Sequence, residues 1–311
     1  MMGGGGKDWS REYLTLIVTE PGTITWEKKS SGASSKSIKA SINGGEFISH
    51  STSASDTSIG DFVAGDEIRI SGTSRTYGSS SSGNGFGGTA VFDVAGDLMS
   101  MCTGVPGSGT GINDGTYNFR NLFSMSKVRS AENLVLPPDT TAACYYNMFR
   151  ECSQLIAAPR LPAAVLSSNC YYGMFFQCTA LQMPPEIMAT TLAQYCFNNM
   201  FRGCSALLEG PELPVTTLAY SCYQGMFEEC GSLKKAPALP ARVPADSCYS
   251  SMFRNCTYID KITCLLESFG SNSVTGWTYG VSDSGIFTKA AGVNWPTGAN
   301  GIPTGWMVIE V

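Results

Sequence analysis

The cysteines are the residues of this chain with the most conspicuous chemistry. There are 12 in 311 residues, and ten of them form five pairs whose members lie eight positions apart. On one helix such partners would be about 12 Å apart, beyond the roughly 7 Å between Cα atoms that a disulfide spans. The spacing is not that of a zinc site either. We therefore expect buried, reduced thiols that pack as small apolar side chains, with Cys102 and Cys264, outside the pairs, the better candidates for a bridge.

The other candidates for catalysis are one histidine and one pair of carboxylates. His50 is the only histidine and has no cysteine or carboxylate at a motif spacing, so we interpret it as an ordinary surface residue. Glu186 and Glu212 occupy equivalent positions 26 residues apart, and glycoside hydrolysis requires only two carboxylates. Repetition of the sequence explains this pair without catalysis. We expect no enzymatic activity, no cofactor and no metal.

Binding residues are predicted where the repeated sequence varies. Cys, Met, Phe, Leu and Pro recur because each must fit the copies on both sides of it. The variable charged positions, predicted as ligand-binding, are Arg160, Glu186, Glu209, Glu212, Lys234 and Lys235. On one surface they would form a mixed-charge stripe of the kind that repeat proteins use for binding. The alternative is that they vary because they only face water.

Composition excludes several classes of function. The net charge is -5 and charged residues are 14% of the chain, whereas a nucleic-acid binder needs clustered Lys and Arg. No apolar stretch approaches the roughly 20 residues of a membrane span. Residues 1–12 lack the basic and apolar regions of a signal peptide and are interpreted as a leader or attachment segment.

The spacing of the cysteines belongs to a repeat. Cys-aromatic-x-x-Met-Phe-x-x-Cys recurs five times with a step of 26 residues. The five copies begin at Cys144, Cys170, Cys196, Cys222 and Cys248. A degenerate copy without cysteine covers 118–137, with Leu122-Phe123 in place of Met-Phe. Between copies lie segments of the type Leu-x-x-x-Pro-x-Leu-Pro, here called the proline segments: 155–162, 181–188, 207–214 and 233–240.

Each copy is predicted to hold a short helix and a short strand. Cys170, Met174, Phe175, Cys178 and Leu181 would share one helical face. Proline is excluded from a helix interior, so the proline segments are predicted to be extended. One copy cannot bury its own apolar face, and the copies must stack. At about 4.8 Å per stacked strand, six copies predict a rod about 25–30 Å long.

Different structures are predicted on the two sides of the repeats. Residues 13–100 alternate strand-forming runs with turn signals such as Ile42-Asn43-Gly44-Gly45, which predicts a small β-sandwich. Residues 264–311 break the period and are predicted to cap the open end. Trp277, Trp295 and Trp306 are expected to seal the last copy, with a carbohydrate platform as the alternative.

The repeat resembles a known family. Cys-Tyr-x-x-Met-Phe-x-x-Cys-x-x-Leu-x-x-x-Pro-x-Leu-Pro is similar to the BspA-like leucine-rich repeats of gut bacteria (Bacteroidales) and their phages. The runs 88–100 and 301–306 resemble the β-rich head and the closing module of such proteins. The extra leader and the serine-rich insert 79–82 depart from the pattern. The resemblance implies surface-exposed binding or adhesion. It implies no enzymatic activity common to the family, and it names no ligand.

Together these observations predict an α+β chain: residues 13–110 as a β-sandwich, 111–263 as a leucine-rich-repeat solenoid and 264–311 as a cap. The function expected is that of a non-enzymatic structural or adhesion protein displayed on a phage virion, as tail, fibre or head decoration. Its partners would be other virion proteins or a host surface receptor or glycan, with homo-oligomerisation through the N-terminal domain. The alternative is an adhesin on the bacterial cell surface.

Overall fold

The structure, a computed structural model, describes residues 7–31, 33–52, 56–108, 111–112, 115–270 and 272–311. Half of the predicted leader, residues 1–6, lies outside the described residues. The rest of it includes a single 3-10 turn, Trp9–Arg11, which the Asp8 carboxylate caps by accepting from the Ser10 amide.

Alternating apolar residues build two sheets from the first part of the chain. The strands are β1 (Leu14–Glu20), β2 (Gly22–Lys28), β3 (Ser37–Ile42), β4 (Ile48–Ser51), β5 (Thr57–Phe62), β6 (Glu67–Ser71), β7 (Asn84–Gly88), β8 (Val91–Asp97) and β9 (Val128–Val135). One sheet has the order β4-β3-β6-β1-β8-β9 and the other β5-β2-β7. Alternate residues such as Leu14 and Leu16 in β1, and Ile24 and Trp26 in β2, are fully buried, as one-sided sheets require. This β-sheet content fits the predicted β-sandwich.

The predicted α+β class with a leucine-rich-repeat solenoid is wrong. The described chain is almost entirely strand and turn, and its only α-helix is α1, the four residues Ser100–Thr103. No copy of the repeat contains a helix. Each of the six copies instead contains a run of tight turns, in the segments 117–126, 143–152, 169–178, 195–204, 221–230 and 247–256, and a seventh run, 272–281, follows in the predicted cap. These stacked segments are called the turn column below.

Backbone geometry explains why no helix forms. In the copy at Cys144, residues Ala143, Asn147 and Glu151 have φ of 56°, 54° and 59°. This left-handed conformation cannot be part of a right-handed helix. It returns every four residues, so the chain completes one turn in four residues rather than 3.6. Apolar residues spaced 0, 4 and 8 fit both periods, which is why the spacing suggested a helix.

The hydrogen bonds of the turn column alternate between two kinds. The amides of Tyr146 and Met148 donate within their own copy, to the carbonyls three residues back. The amides of Tyr145, Asn147 and Phe149 donate instead to the next copy; for Phe149 the acceptor is Met174 O at 2.9 Å. The same alternation continues from copy to copy. Half of the backbone donors of each turn segment therefore bind successive copies together.

The core of the turn column consists of continuous rows of identical positions. The rings of Phe123, Phe149, Phe175, Phe201, Phe227 and Phe253 stack with centroids 5.2–5.9 Å apart. A second row contains Phe119, Tyr145, Tyr171, Phe197, Tyr223 and Tyr249, at 5.4–6.0 Å. Both rows are buried and join the core of the sheets, where Phe86 of β7 stacks on Phe123.

The proline segments pair only at single residues. Isolated parallel bridges join Leu161 to Ile187 and Glu209 to Lys235, and one more joins Val165 to Thr191 just after the first two segments. The prolines remove the donors that a longer ladder would need. Leu155, Leu161 and their equivalents point into the core, so the charged positions between them face outward.

The C-terminal residues end the stack with a parallel sheet and tryptophans. β10 (Lys261–Cys264), β11 (Ile286–Lys289) and β12 (Met307–Glu310) pair in that order. Trp277 is fully buried and stacks on Tyr249 and Trp295, and Trp306 is buried as well. The expected sealing role fits this burial, which leaves no exposed platform of these three rings. The predicted boundaries of the three domains stay predictions.

Candidate functional site

The outward positions of the proline segments carry all six predicted binding residues. Arg160 and Glu186 occupy the same position in successive copies, and their side chains form an ion pair with Nε to Oε2 at 2.8 Å. Glu209 and Lys235 form another, with Nζ to Oε2 at 3.1 Å. Four of the six residues therefore satisfy one another across neighbouring copies and stabilise the stack. These exposed pairs contribute little stability each.

The remaining two predicted residues line a groove. Glu212 and Lys234, together with Lys235, border an open groove of about 640 Å³ between the third and fourth proline segments and β10. Its floor is apolar and includes Pro211 and Pro237, which are buried. Apolar concavities with a few convergent polar groups are the usual form of a ligand site. We call this feature the proline groove.

Two charged residues of the proline groove are not among the six binding residues predicted from the sequence. Asp260 and Lys261 lie on its rim, where β10 continues the row of the proline segments. Asp260 is 26 residues after Lys234, and Lys261 is 26 after Lys235. The repeat step alone would have found them had it been followed past the last proline segment.

The rim of the proline groove has an even balance of charge. Lys234, Lys261, Glu212 and Asp260 are all exposed. Among the described residues none of these four has an ion-pair partner. Two cations and two anions thus surround an apolar floor without neutralising each other. Such a groove suits an extended ligand that carries both signs of charge along an apolar backbone.

The outer face of the turn column is rich in arginine and aromatic residues, but these contact one another. The Arg150 guanidinium lies 4.6 Å from the Phe176 ring centroid. Arg202 pairs with Glu228 at 3.3 Å, and Arg254 lies 5.2 Å from the centroid of Tyr279. Each member of this row therefore contacts its equivalent in an adjacent copy. Burial raises the pKa of Glu228 despite the arginines beside it. These contacts stabilise the stacking of the copies and leave few side chains of the row available to bind a ligand.

The second thiol of each copy is a structural hydrogen-bond donor. All 12 cysteines lie in the described residues and none is in a disulfide, so Cys102 and Cys264 are unbridged too. The thiol of Cys178 donates to Phe149 O of the preceding copy at 3.0 Å, and Cys204 donates to Phe175 O at the same distance. Burial raises the pKa of Cys144 and of Cys152 to about 12. A thiol with so high a pKa is a poor nucleophile and a poor metal ligand.

The other candidates for catalysis, His50, Glu186 and Glu212, do not form one site. His50 is in β4, half-buried, and burial lowers its pKa. The Glu186 carboxylate is held by Arg160, while Glu212 lies on the proline groove. Among the described residues no group of three His, Cys, Asp or Glu side chains is placed to hold a metal ion. No helix in that part of the chain is long and apolar enough to cross a membrane.

Comparisons with known proteins assign neither a family nor a function to this chain. No family model matches the chain, and neither a curated protein nor a solved structure is significantly similar to it. Inferences about function therefore depend on the geometry of the proline groove and of the column that carries it.

Proposed function

We propose that the chain is a non-enzymatic adhesion protein whose proline groove binds an extended segment of a partner on a biological surface. The observation that carries the proposal is a group of four charges around an apolar floor that have no ion-pair partner in the described part of the chain: Lys234, Lys261, Glu212 and Asp260. The other charged positions of the same face are occupied by ion pairs between copies.

Rigidity of the support favours binding. The copies that form the groove are joined by inter-copy backbone bonds and stacked rings, for example Phe201 on Phe227 at 5.7 Å. The backbone that carries the charges is therefore fixed before a ligand arrives, and preorganisation of this kind increases affinity. An extended, repetitive face is also suited to a long ligand and not to a small substrate.

The chemistry of the groove indicates the class of ligand. An apolar floor edged by both cations and anions matches a polypeptide segment or a glycan that carries carboxylate and amino groups. Such chains are exposed on cell surfaces and on virus particles. The setting we propose is the surface of a phage particle, with host surface molecules or neighbouring particle proteins as partners. The resemblance to BspA-like repeats supports this setting, and the bacterial cell surface is its alternative.

Binding through the proline groove is tested by charge reversal. The double variant Lys234→Glu with Lys261→Glu should reduce binding of the labelled protein to host cells by at least about tenfold, because two uncompensated cations become anions. The matched control is Lys39→Glu with Lys127→Glu, two exposed lysines away from the groove, which changes the net charge equally. Equal binding by both double variants would show that the groove is not the binding face.

The setting has its own test. Quantitative mass spectrometry of gradient-purified particles should find the chain at a constant ratio to the major capsid protein. Detection only in the cell-envelope fraction of the bacterium would contradict the phage setting and favour the cell-surface adhesin.

A further inference from the structure

The last strand of the chain has an open edge. β12 pairs with β11 on one side, and in the part of the chain that the structure describes no strand pairs with its other side. Its side chains are exposed on both faces: Met307 by 65%, Val308 by 43%, Ile309 by 41% and Val311, just beyond it, by 67%. An apolar strand edge of this kind is a template for pairing with another strand.

The hydrogen bonds of β12 fix which residues face the open edge. The amide of Met307 donates to Gly285 O at 2.8 Å, and the amide of Val311 donates to Lys289 O at 3.0 Å. In a parallel ladder, alternate residues use their amide and carbonyl on the same side. Residues 307, 309 and 311 therefore bond to β11, and Val308 and Glu310 direct their amides and carbonyls away from it.

The edge lacks the features that normally block pairing. Strand edges of monomers are protected by proline, a bulge or an uncompensated charge. β12 has no proline and no bulge. Its single charge, Glu310, forms an ion pair with Lys289, whose side chain is largely buried, and accepts from the Gly292 amide at 3.3 Å. The one charged side chain of β12 is thus compensated within its own molecule.

We propose that β12 pairs in antiparallel fashion with β12 of a second copy, about a two-fold axis that passes beside Ile309. Antiparallel hydrogen-bonded pairs form between residues whose amides and carbonyls both face the partner. Val308 then pairs with Glu310 of the second copy, and Glu310 with its Val308, giving four hydrogen bonds. The two parallel sheets of three strands become one sheet of six.

The side chains of β12 favour a second copy of this chain as the partner at the open edge. In this register Ile309 lies opposite Ile309 of the second copy, and Met307 lies opposite its Val311. All three residues project on one face of β12, so the two-fold axis aligns one apolar row with its own inverted image. On the opposite face Val308 lies opposite Glu310, whose charge is already compensated by Lys289. The edge is therefore self-complementary in shape, polarity and charge.

The pairing would join two molecules through the outer strand of the sheet β10-β11-β12. β12 is the last strand of the row that runs from the proline segments through β10 and β11. Two proline grooves would then be carried by one dimer, which increases apparent affinity for a surface with many ligands. The pairing itself does not depend on what the groove binds. An edge of four residues buries little area, so the dimer is expected to be weak and reversible.

The register is tested by two lysine substitutions that change the net charge equally. Sedimentation equilibrium of the wild-type full chain over rising concentration should show a reversible monomer–dimer equilibrium. Ile309→Lys places two lysines directly opposite each other and should raise the dimer dissociation constant by at least about tenfold. Val308→Lys places a lysine opposite Glu310 and should change that constant by less than about threefold.

A mixing experiment separates loss of pairing from loss of folding. Ile309→Lys and Ile309→Glu should each be monomeric alone and should form a heterodimer when mixed, because opposite charges then face each other. A wild-type chain that stays monomeric at all concentrations would overturn the proposal. So would equal weakening by both lysine variants, or an absence of heterodimer on mixing.

Discussion

At the scale of single residues, the cysteines act as small side chains that also donate a hydrogen bond. Each second cysteine of a copy fills the core and directs its thiol at a phenylalanine carbonyl of the preceding copy, as Cys230 does to Phe201 O at 3.0 Å. In the degenerate first copy Ser126 occupies the position, and its hydroxyl donates instead to Phe123 O of its own copy at 2.6 Å. A donor in a narrow buried site, and not thiol reactivity, is what the position requires.

Thiol labelling should follow burial. At about pH 8 an alkylating reagent should modify Cys102, the one cysteine that is not fully buried, while the others react only after denaturation, because a buried thiol with a raised pKa remains protonated. Mass spectrometry after labelling locates the modified residues. Modification of Cys178 or Cys204 in the native protein at a rate near that of Cys102 would contradict the burial.

A second prediction concerns a buried hydroxyl. The Oη of Tyr145 is buried without a hydrogen-bond partner among the described residues. Phe119 occupies the same position in the preceding copy, and Phe197 occupies it two copies further on. Leaving a buried polar group unsatisfied is costly, so Tyr145→Phe should raise the free energy of unfolding by about 1 kcal/mol. Chemical denaturation measures it. A loss of stability would indicate a partner for this hydroxyl.

At the scale of elements, the four-residue turn decides what each copy can be. Residues with left-handed φ recur every four positions, and several are Gly or Asn, including Gly173 and Asn199, which adopt this conformation at low cost. Ala143 and Glu151 adopt it too, and they are not recognisable in a sequence. The spacing of the apolar residues therefore predicted a helix, although the true period was four.

The turn geometry makes two glycines respond in opposite ways. Gly225 has φ of 60°, and a Cβ there would lie 2.4 Å from Asn199 Oδ1. Gly225→Val should therefore lower the free energy of unfolding by about 2 kcal/mol or more, through backbone strain and the clash. Gly231 has open space around a Cβ, and Ser153 and Thr179 occupy its position in other copies. Gly231→Ala should be neutral or slightly stabilising, and equal losses from both variants would contradict the turn geometry.

The sequence predicted more of the arrangement of residues than of the conformation of the chain. The step of 26 identified Cys, Met and Phe as buried positions and Glu212 and Lys234 as outward ones, because repetition shows which side chains must fit their neighbours. The strands near Leu14, Ile24 and Ile68 followed from alternation. The proline groove could not be predicted, because its volume depends on how far apart neighbouring proline segments lie.

At the scale of the whole molecule, stacked rows make stability depend on many identical buried groups. Core rows of thiols and tyrosines run along the column, and Cys170 and Cys222 have pKa values well above that of a free thiol because they are buried. A rise in pH that favours ionisation of one such group favours ionisation of all of them. The column is therefore expected to lose its structure cooperatively at high pH.

Alkaline pH should unfold the protein steeply. The folded pKa of Cys144 and Cys204 is raised from 9.0 to about 12. The stability they contribute is complete below about pH 9, and it falls as the pH rises toward 12, because the unfolded chain then releases protons that the folded chain retains. Each thiol lowers the folding equilibrium constant about tenfold per pH unit in that range. Thermal melts should give a constant Tm from about pH 7 to 8 and a steep fall above about pH 9. A Tm unchanged to about pH 11 would contradict the burial of the rows.

The central claim is that successive copies are bonded to each other through the backbone and so form one rigid support for the proline groove. Scalar couplings across hydrogen bonds, measured by nuclear magnetic resonance, test it most directly. The account predicts a coupling between the amide nitrogen of Phe149 and the carbonyl carbon of Met174, in the next copy. A coupling from the same amide to the carbonyl of Tyr145, four residues back as in an α-helix, would contradict it.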